Sequence, residues 1–231
     1  MDDFERYGDY TEYEDDQPKS RSNIVIRLLK IMIGVVCIGV IGIFAFRLTL
    51  FSYYPDKISD LYFTDNLTAY YNQNNGNIGA KTQSLRSPYD DPDFANFFCD
   101  NLIVVDGAGE LQVSVRYNNS AIENIKTKLN LQSLDENSES LFTFRLYDNY
   151  GRIYTPSYVT TDDFMMYHYY KLAFDKIPFA VEGEESPEWI RLEVFVEGQT
   201  AAEPFSMILV YENHEDFSKF DDYSLSGEEH P

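Results

Sequence analysis

Cysteine is nearly missing from this chain: Cys37 and Cys99 are the two in 231 residues. A fold stapled by disulfides needs several pairs, so that class is excluded. Bases are scarce as well, 18 against 39 acids, for a formal net charge of -21. Nucleic acids are gripped by clustered Lys and Arg, so no nucleic-acid partner is expected. The histidines His168, His214 and His230 stand apart, and His214-Glu215 lacks the second histidine of a zinc-protease helix. No Gly-x-Ser-x-Gly elbow occurs. Gly76-Asn77-Ile78-Gly79-Ala80-Lys81-Thr82 imitates a phosphate loop, but Ala80 stands where a glycine must precede the lysine. The expectation is a protein that is not an enzyme and uses no cofactor or metal.

What is present is apolar and aromatic, 44% and 16% of the chain, too much for a wholly disordered protein. The charge is unevenly spread. Residues 1–17 hold eight acids and one base, Arg6. Residues 18–51 hold Lys19, Arg21, Arg27, Lys30 and Arg47 and no acid, and acids dominate again beyond them. Inside the basic block, residues 31–46 carry no polar side chain except Cys37. Starting at Leu28 and crossing only Lys30, the run reaches nineteen positions. Nineteen residues at about 1.5 Å each span roughly 28 Å, the thickness of a hydrocarbon core. One transmembrane helix is expected, with membrane lipid as its partner over residues 28–46.

A cleaved leader is not expected, because the exit Phe44-Ala45-Phe46-Arg47-Leu48 is bulky where a signal peptidase needs small residues. Cys37 follows Val35-Val36 in mid-run, which excludes a lipoprotein signal. Lys19, Arg21, Arg27 and Lys30 before the span outnumber Arg47 and Lys57 after it. That bias predicts a cytoplasmic N-terminus and an extracytoplasmic C-terminal domain in the cell membrane. Gly39, Gly42 and Ala45 recur at spacing three, a small-residue stripe suited to helix–helix self-association.

After the span, Tyr53-Tyr54-Pro55, an Asn-Gly cluster at 72–79 and Ser87-Pro88-Tyr89-Asp90-Asp91-Pro92 are turn chemistry. Ile58, Leu61 and Tyr62, continued by Leu67 and Tyr70, share one helical face. From residue 97 the period changes to two. Residues 102–105, Asp106-Gly107-Ala108-Gly109, then Leu111, Val113, Val115 and Tyr117 between Gln112, Ser114 and Arg116 predict a hairpin. Ser120 and Glu123 form a capping box for a short helix carrying Ile122, Ile125 and Leu129. Phe142, Phe144 and Leu146 alternate with polar neighbours, as do Tyr170, Leu172 and Phe174. So do Ile190, Leu192, Val194 and Val196, after which Gly198 turns the chain. Residues 205–211 are apolar on both faces and are expected in the middle of a sheet.

About seven strands over ~115 residues predict an antiparallel immunoglobulin-like β-sandwich with a short inserted helix, a mainly β domain behind one N-terminal anchor. The expected layout is an acidic disordered cytoplasmic tail (1–23) and a basic collar with the transmembrane helix (24–50). A stalk with a short helix (51–96), the sandwich (97–213) and an acidic disordered tail (214–231) follow.

Within the sandwich, Leu146-Tyr147-Asp148 turns through Asn149, Tyr150 and Gly151 into Ile153-Tyr154. A single anchor followed by such a domain resembles uncharacterised bacterial single-pass, signal-anchored cell-envelope proteins. The resemblance covers the layout of residues 24–213. It implies location and fold, and no functional residue.

Tyr147, Tyr150, Tyr154, Tyr158, Tyr167 and Tyr169, with Tyr170, Met165 and Met166, crowd one stretch of chain. Tyr and Met offer adaptable contact area, so this stretch is the candidate surface for a protein or glycan partner. The function expected is a membrane-anchored extracytoplasmic interaction or accessory module. The alternatives are an envelope hydrolase acting through Asp90-Asp91 with Asp93, Asp162-Asp163 and Asp221-Asp222, and a sensor whose acidic head, with Tyr7, Tyr10 and Tyr13, signals across the membrane. Those acidic doublets are also the oxygen donors calcium prefers, although their spacing fits no EF-hand.

Overall fold

The computed structural model describes residues 21–88, 97–130, 141–179, 181, 183–196, 204–213 and 220–223. The acidic head with its three tyrosines, Asp90-Asp91 with Asp93, the Gly198 turn, and His214 and His230 lie outside them. The chain divides into two compact units, Met1–Tyr53 and Tyr54–Pro231.

Among the described residues the first unit holds one helix, α1 (Arg21–Ser52). Its stretch Ile24–Leu50 has a mean hydropathy of 2.6 and is long and apolar enough to cross a membrane. Apolar side chains point outward all round it, among them Ile31, Val35, Ile38, Ile41 and Phe44. A helix apolar on every side suits apolar surroundings. Thr49 hides its hydroxyl by donating to the Ala45 carbonyl at 2.9 Å. The helix extends past residues 28–46 at both ends. Gly39 and Gly42 have open space around them, as a small-residue stripe requires.

The second unit is mainly β. In chain order it contains α2 (Asp56–Ser59), α3 (Asp65–Gln73), β1 (Lys81–Pro88), β2 (Phe97–Val105), β3 (Glu110–Asn118), α4 (Asn119–Leu129), β4 (Phe142–Asp148), β5 (Ile153–Tyr154), β6 (Tyr158–Phe164), β7 (Tyr167–Phe174), β8 (Trp189–Val196), β9 (Ser206–Glu212) and β10 (Asp221–Asp222). Two antiparallel sheets result, a six-stranded one ordered β10-β1-β2-β3-β7-β6 and a four-stranded one ordered β5-β4-β8-β9.

The period-two apolar sets meet in one core. Leu111, Val113 and Val115 of β3 and Tyr170, Leu172 and Phe174 of β7 join Phe142, Phe144 and Leu146 of β4 and Ile190, Leu192 and Val194 of β8. Each such side chain withdrawn from water is worth about 1.5–3 kcal/mol before entropy is counted. Ala121, Ile122 and Ile125 bring α4 into the same core. Its cap is Asn118 rather than Ser120: the Asn118 side chain accepts the Ala121 amide at 3.1 Å. Asn118 ends β3, so the helix starts two residues earlier than the capping box implies.

Several expectations change. Residues 51–96 are not only a stalk, because β1 pairs with β2 inside the six-stranded sheet. Leu61, Leu67 and Ile78 pack on Ile103 and Val105 of its outer face in a second apolar cluster. Lys81-Thr82-Gln83-Ser84 shows no apolar alternation, so only pairing with β2 makes it a strand. In the tail, Asp221 and Asp222 pair with β1. β9 is an edge strand, not a central one, and leaves Met207 and Leu209 exposed. On β3, Gln112, Ser114 and Arg116, which alternation would put in water, are buried.

The β2–β3 hairpin is fixed at Gly109, whose φ of 61° lies in the left-handed region. A Cβ there would stand 2.7 Å from the Ile177 carbonyl oxygen, which belongs to backbone and has nowhere to move. Gly109→Ala is therefore expected to destabilise the domain by about 2 kcal/mol or more, adding left-handed strain to the clash. Urea denaturation of the variant against the parent measures it.

Candidate interaction surface

The two sheets differ in what lies on their outer faces. The outer face of the six-stranded sheet is covered by residues 54–80, which β3 side chains hold by hydrogen bonds. Gln112 accepts the Tyr62 amide at 2.9 Å and donates to the Tyr62 carbonyl at 2.6 Å. Ser114 donates to the Ile58 carbonyl at 2.7 Å. Thr64 and Asn66 donate to the Glu110 carboxylate at 2.6 and 3.3 Å, and Gln112 donates to it at 2.7 Å. Burial pushes the Glu110 carboxyl up, against these hydrogen bonds, which favour its charge. Arg116 lies among three rings, those of Tyr54, Phe98 and Tyr167, at 5.0, 5.3 and 4.9 Å.

The outer face of the four-stranded sheet has no such cover among the described residues. Register places Ile153, Tyr147, Arg191 and Leu209 in one row across four strands, with Arg145, Glu193 and Met207 in the next. Partners opposite one another in a ladder share a face. Ile153, Leu209 and Met207 are 54%, 48% and 54% exposed. The arginines lie over aromatic rings: Arg145 over Phe195 at 4.6 Å, Arg191 over Trp189 at 4.7 Å, and Arg152 over Tyr150 at 4.9 Å. Arg145 also pairs with Glu193. Arg152 is likewise committed, to Asp148 and to the Glu185 carbonyl, so Arg191 is the stacked cation best placed to bond outward.

Asp148 anchors one end of this face. Its buried carboxylate accepts the amides of Tyr150 and Arg152 at 3.0 and 2.9 Å, the Arg152 guanidinium at 2.6 Å and the Tyr154 hydroxyl at 2.9 Å. Gly151 supplies the positive φ the turn needs, 81°. Asn149 ties the turn to β8 by accepting the Glu188 amide at 2.8 Å. Burial alone would raise the Asp148 carboxyl; the Arg152 backbone and guanidinium and the Tyr154 hydroxyl outweigh it and hold the pKa below 3.8.

The tyrosine and methionine stretch does not form one patch. Tyr147 and Tyr150 belong to the four-stranded sheet and its turn. Tyr154 is buried with its hydroxyl on Asp148. Tyr158 stacks on Tyr62 with centroids 3.5 Å apart. Tyr169 is buried against Tyr54, and Tyr170 lies in the shared core. Tyr167 packs on Arg116. Met165 and Met166 form the exposed tip of the β6–β7 hairpin, where Met165 has a φ of 56°. Tyr154 and Tyr169 are buried, and a side chain inside the protein offers little contact surface. Sequence reasoning missed Arg145, Trp189, Arg191, Phe195, Met207 and Leu209. The signal for half of them was the polar-phase set of β8, where Arg191 and Phe195 alternate with the core residues.

Among the described residues the remaining motifs are scattered or engaged elsewhere. His168 lies between Asp163 at 2.7 Å and Asn119 at 2.8 Å and stacks on Tyr117. Asp162-Asp163 and Asp221-Asp222 stand on opposite edge strands of the six-stranded sheet. Five strand spacings of about 4.8 Å put them ~24 Å apart, beyond any glycosidase carboxylate separation. Among the described residues no three potential ligands gather for a metal. The phosphate-loop imitation lines a shallow pocket of about 350 Å³ with Asp222 and Tyr223, and the Asp222 charge would repel a phosphate. Comparison with known protein families, curated proteins and solved structures finds no match to this chain.

A carboxylate held low lends stability above pH 3.8 that fades as the pH falls further. Asp148→Ala is expected to cost about 3 kcal/mol at pH 7, because the Arg152 guanidinium and two amides lose their buried acceptor. The stability difference between parent and Asp148→Asn, followed by urea titration, should narrow as the pH drops below about 4.

Proposed function

We propose that the chain is a membrane-anchored, non-enzymatic interaction module. In this reading α1 spans the cell membrane with its N-terminus in the cytoplasm. The two sheets form an immunoglobulin-like sandwich on the other side, as the resemblance to single-pass envelope proteins implies. The bare face of the four-stranded sheet docks a partner protein.

One observation carries the reading: Tyr147, Trp189, Arg191, Met207 and Leu209 share a sheet face that no described residue covers, while the other sheet is covered. Trp, Tyr, Arg and Met are the residues enriched where proteins bind one another. An acidic body with stacked arginines on a single face also favours a partner that presents carboxylates beside apolar groups. A length of apolar helix exposed on every side supports the anchor.

A photocrosslinker at Leu209 is expected to trap one discrete adduct in intact cells, and the same probe at Val159 on β6 should trap none. Arg191→Glu should abolish that adduct. An adduct indifferent to Arg191→Glu, or equal at both positions, removes the docking face. The anchor has its own check. Alkaline washing should leave the full chain in the membrane pellet, and added protease should reach the β domain in spheroplasts but not in intact inverted vesicles.

A further inference from the structure

Residues 54–64 cross the outer face of the six-stranded sheet as a strap, and what lies under the covering segment changes along its length. Beneath α3 and Ile78 the contact is apolar, with Leu67 and Ile78 on Ile103 and Val105. Beneath the strap the sheet shows Gln112, Ser114, Arg116 and Lys171. A polar sheet face is compatible with water, so lifting the strap uncovers the seats of Tyr54, Ile58 and Leu61 but leaves the core shared by the two sheets closed.

The strap is held by few bonds. Ser114 grips the Ile58 carbonyl and Gln112 grips both backbone groups of Tyr62. Lys57 donates to the Thr161 carbonyl at 3.1 Å, and the Tyr223 hydroxyl accepts the Leu61 amide at 2.9 Å. Apolar contact adds to these: Ile58 is fully buried, Leu61 joins Ile103 and Val105, Tyr54 packs on Tyr169 and Arg116, and Tyr62 stacks on Tyr158. Each hydrogen bond contributes only modestly in net terms, because water replaces it on release.

One group opposes docking. Lys171, opposite Ser114 in the ladder, is fully buried, and its ammonium has no hydrogen-bond partner among the described residues. A buried cation without a partner is costly unless it sheds its proton or regains water. We propose that residues 54–64 are a releasable strap, hinged at the Thr64 cap of α3, that lifts from the sheet when Lys171 takes up a proton. The cap itself stays: Thr64 accepts the Leu67 amide at 3.0 Å, and α3 keeps its apolar seat. Release frees the ten residues 54–63 as tether following α1, up to roughly 33 Å of extended chain.

The charged groups around Lys171 fix the sign. Asp60 of the strap and Glu110 of β3 favour its protonated form, but burial dominates and pulls the ammonium down to about 7 from 10.5. Arg116 lies two residues from Ser114 on β3, Asp100 sits at the β2 bulge facing Ser114, and Asp162 of β6 opposes Tyr169 on the next rung. Lys57 of the strap reaches the same edge strand. Docking therefore releases a proton from Lys171, strengthens as the pH rises from about 7 towards 10.5, and is weakest below about 7. Glu110, pushed up by burial, acts in the other direction and only in acid, where its proton favours the docked strap.

Hydrogen–deuterium exchange of the full chain in mild detergent reads the strap directly. Corrected for intrinsic exchange, the Leu61 and Tyr62 amides are expected to be about tenfold better protected at pH 8 than at pH 6, with β3 amides unchanged. Lys171→Met should raise strap protection at pH 6 and remove the pH dependence. Ser114→Ala, which deletes one hydroxyl, should lower strap protection and leave β4 and β8 amides as they were. Strap and β3 amides opening together at every pH would overturn the proposal, and so would a pH dependence that survives Lys171→Met.

Discussion

The burial of β3 on both faces governs the second unit. One side of that strand carries Leu111, Val113 and Val115 into the shared core, and the other carries Glu110, Gln112 and Ser114 into a covered, polar layer. Polar groups withdrawn from water must find partners, and here they find them in the backbone and side chains of residues 58–66. The segment after the membrane-type helix is thereby made part of the fold. Without it Glu110 and Gln112 would return to water, and Ile103 and Val105 would lose their apolar cover.

The contrast between the sheets follows from that arrangement. One sheet has spent its outer face on intramolecular contacts, while the other keeps Trp, Tyr, Arg and Met in contact with solvent. A surface of that composition is where a binding partner gains most per residue, and the Asp148 turn keeps one end of it rigid. The strap and the face are on different sheets, so either property can change without the other.

Much of the fold was legible. The alternating sets of β3, β4, β7 and β8 are the core the structure shows, because a period of two leaves a strong trace wherever one face is apolar. The apolar run of α1 was equally plain, and so was the Gly151 turn. β1 and β10 were not, since Lys81-Thr82-Gln83-Ser84 and Asp221-Asp222 become strands only through neighbours distant in sequence. β9 misled for a related reason: apolar residues on both faces suggest a central strand, yet it is an edge. Of the candidate surface, the tyrosine stretch located Tyr147 and Tyr150 and scattered the rest, because nearness in sequence does not survive a chain that changes sheets between β5 and β6.

The order of residues alone determined an apolar helix of membrane length, an acidic body and a domain of alternating strands. Those are properties of neighbours, set by hydropathy and by the two-residue pleat. Only the tertiary structure decided which polar face would be covered and which apolar-aromatic face would stay bare. Alternation tells which side chains share a face but is silent on what will lie against it, and that depends on segments fifty residues away, as Gln112 on Tyr62 shows.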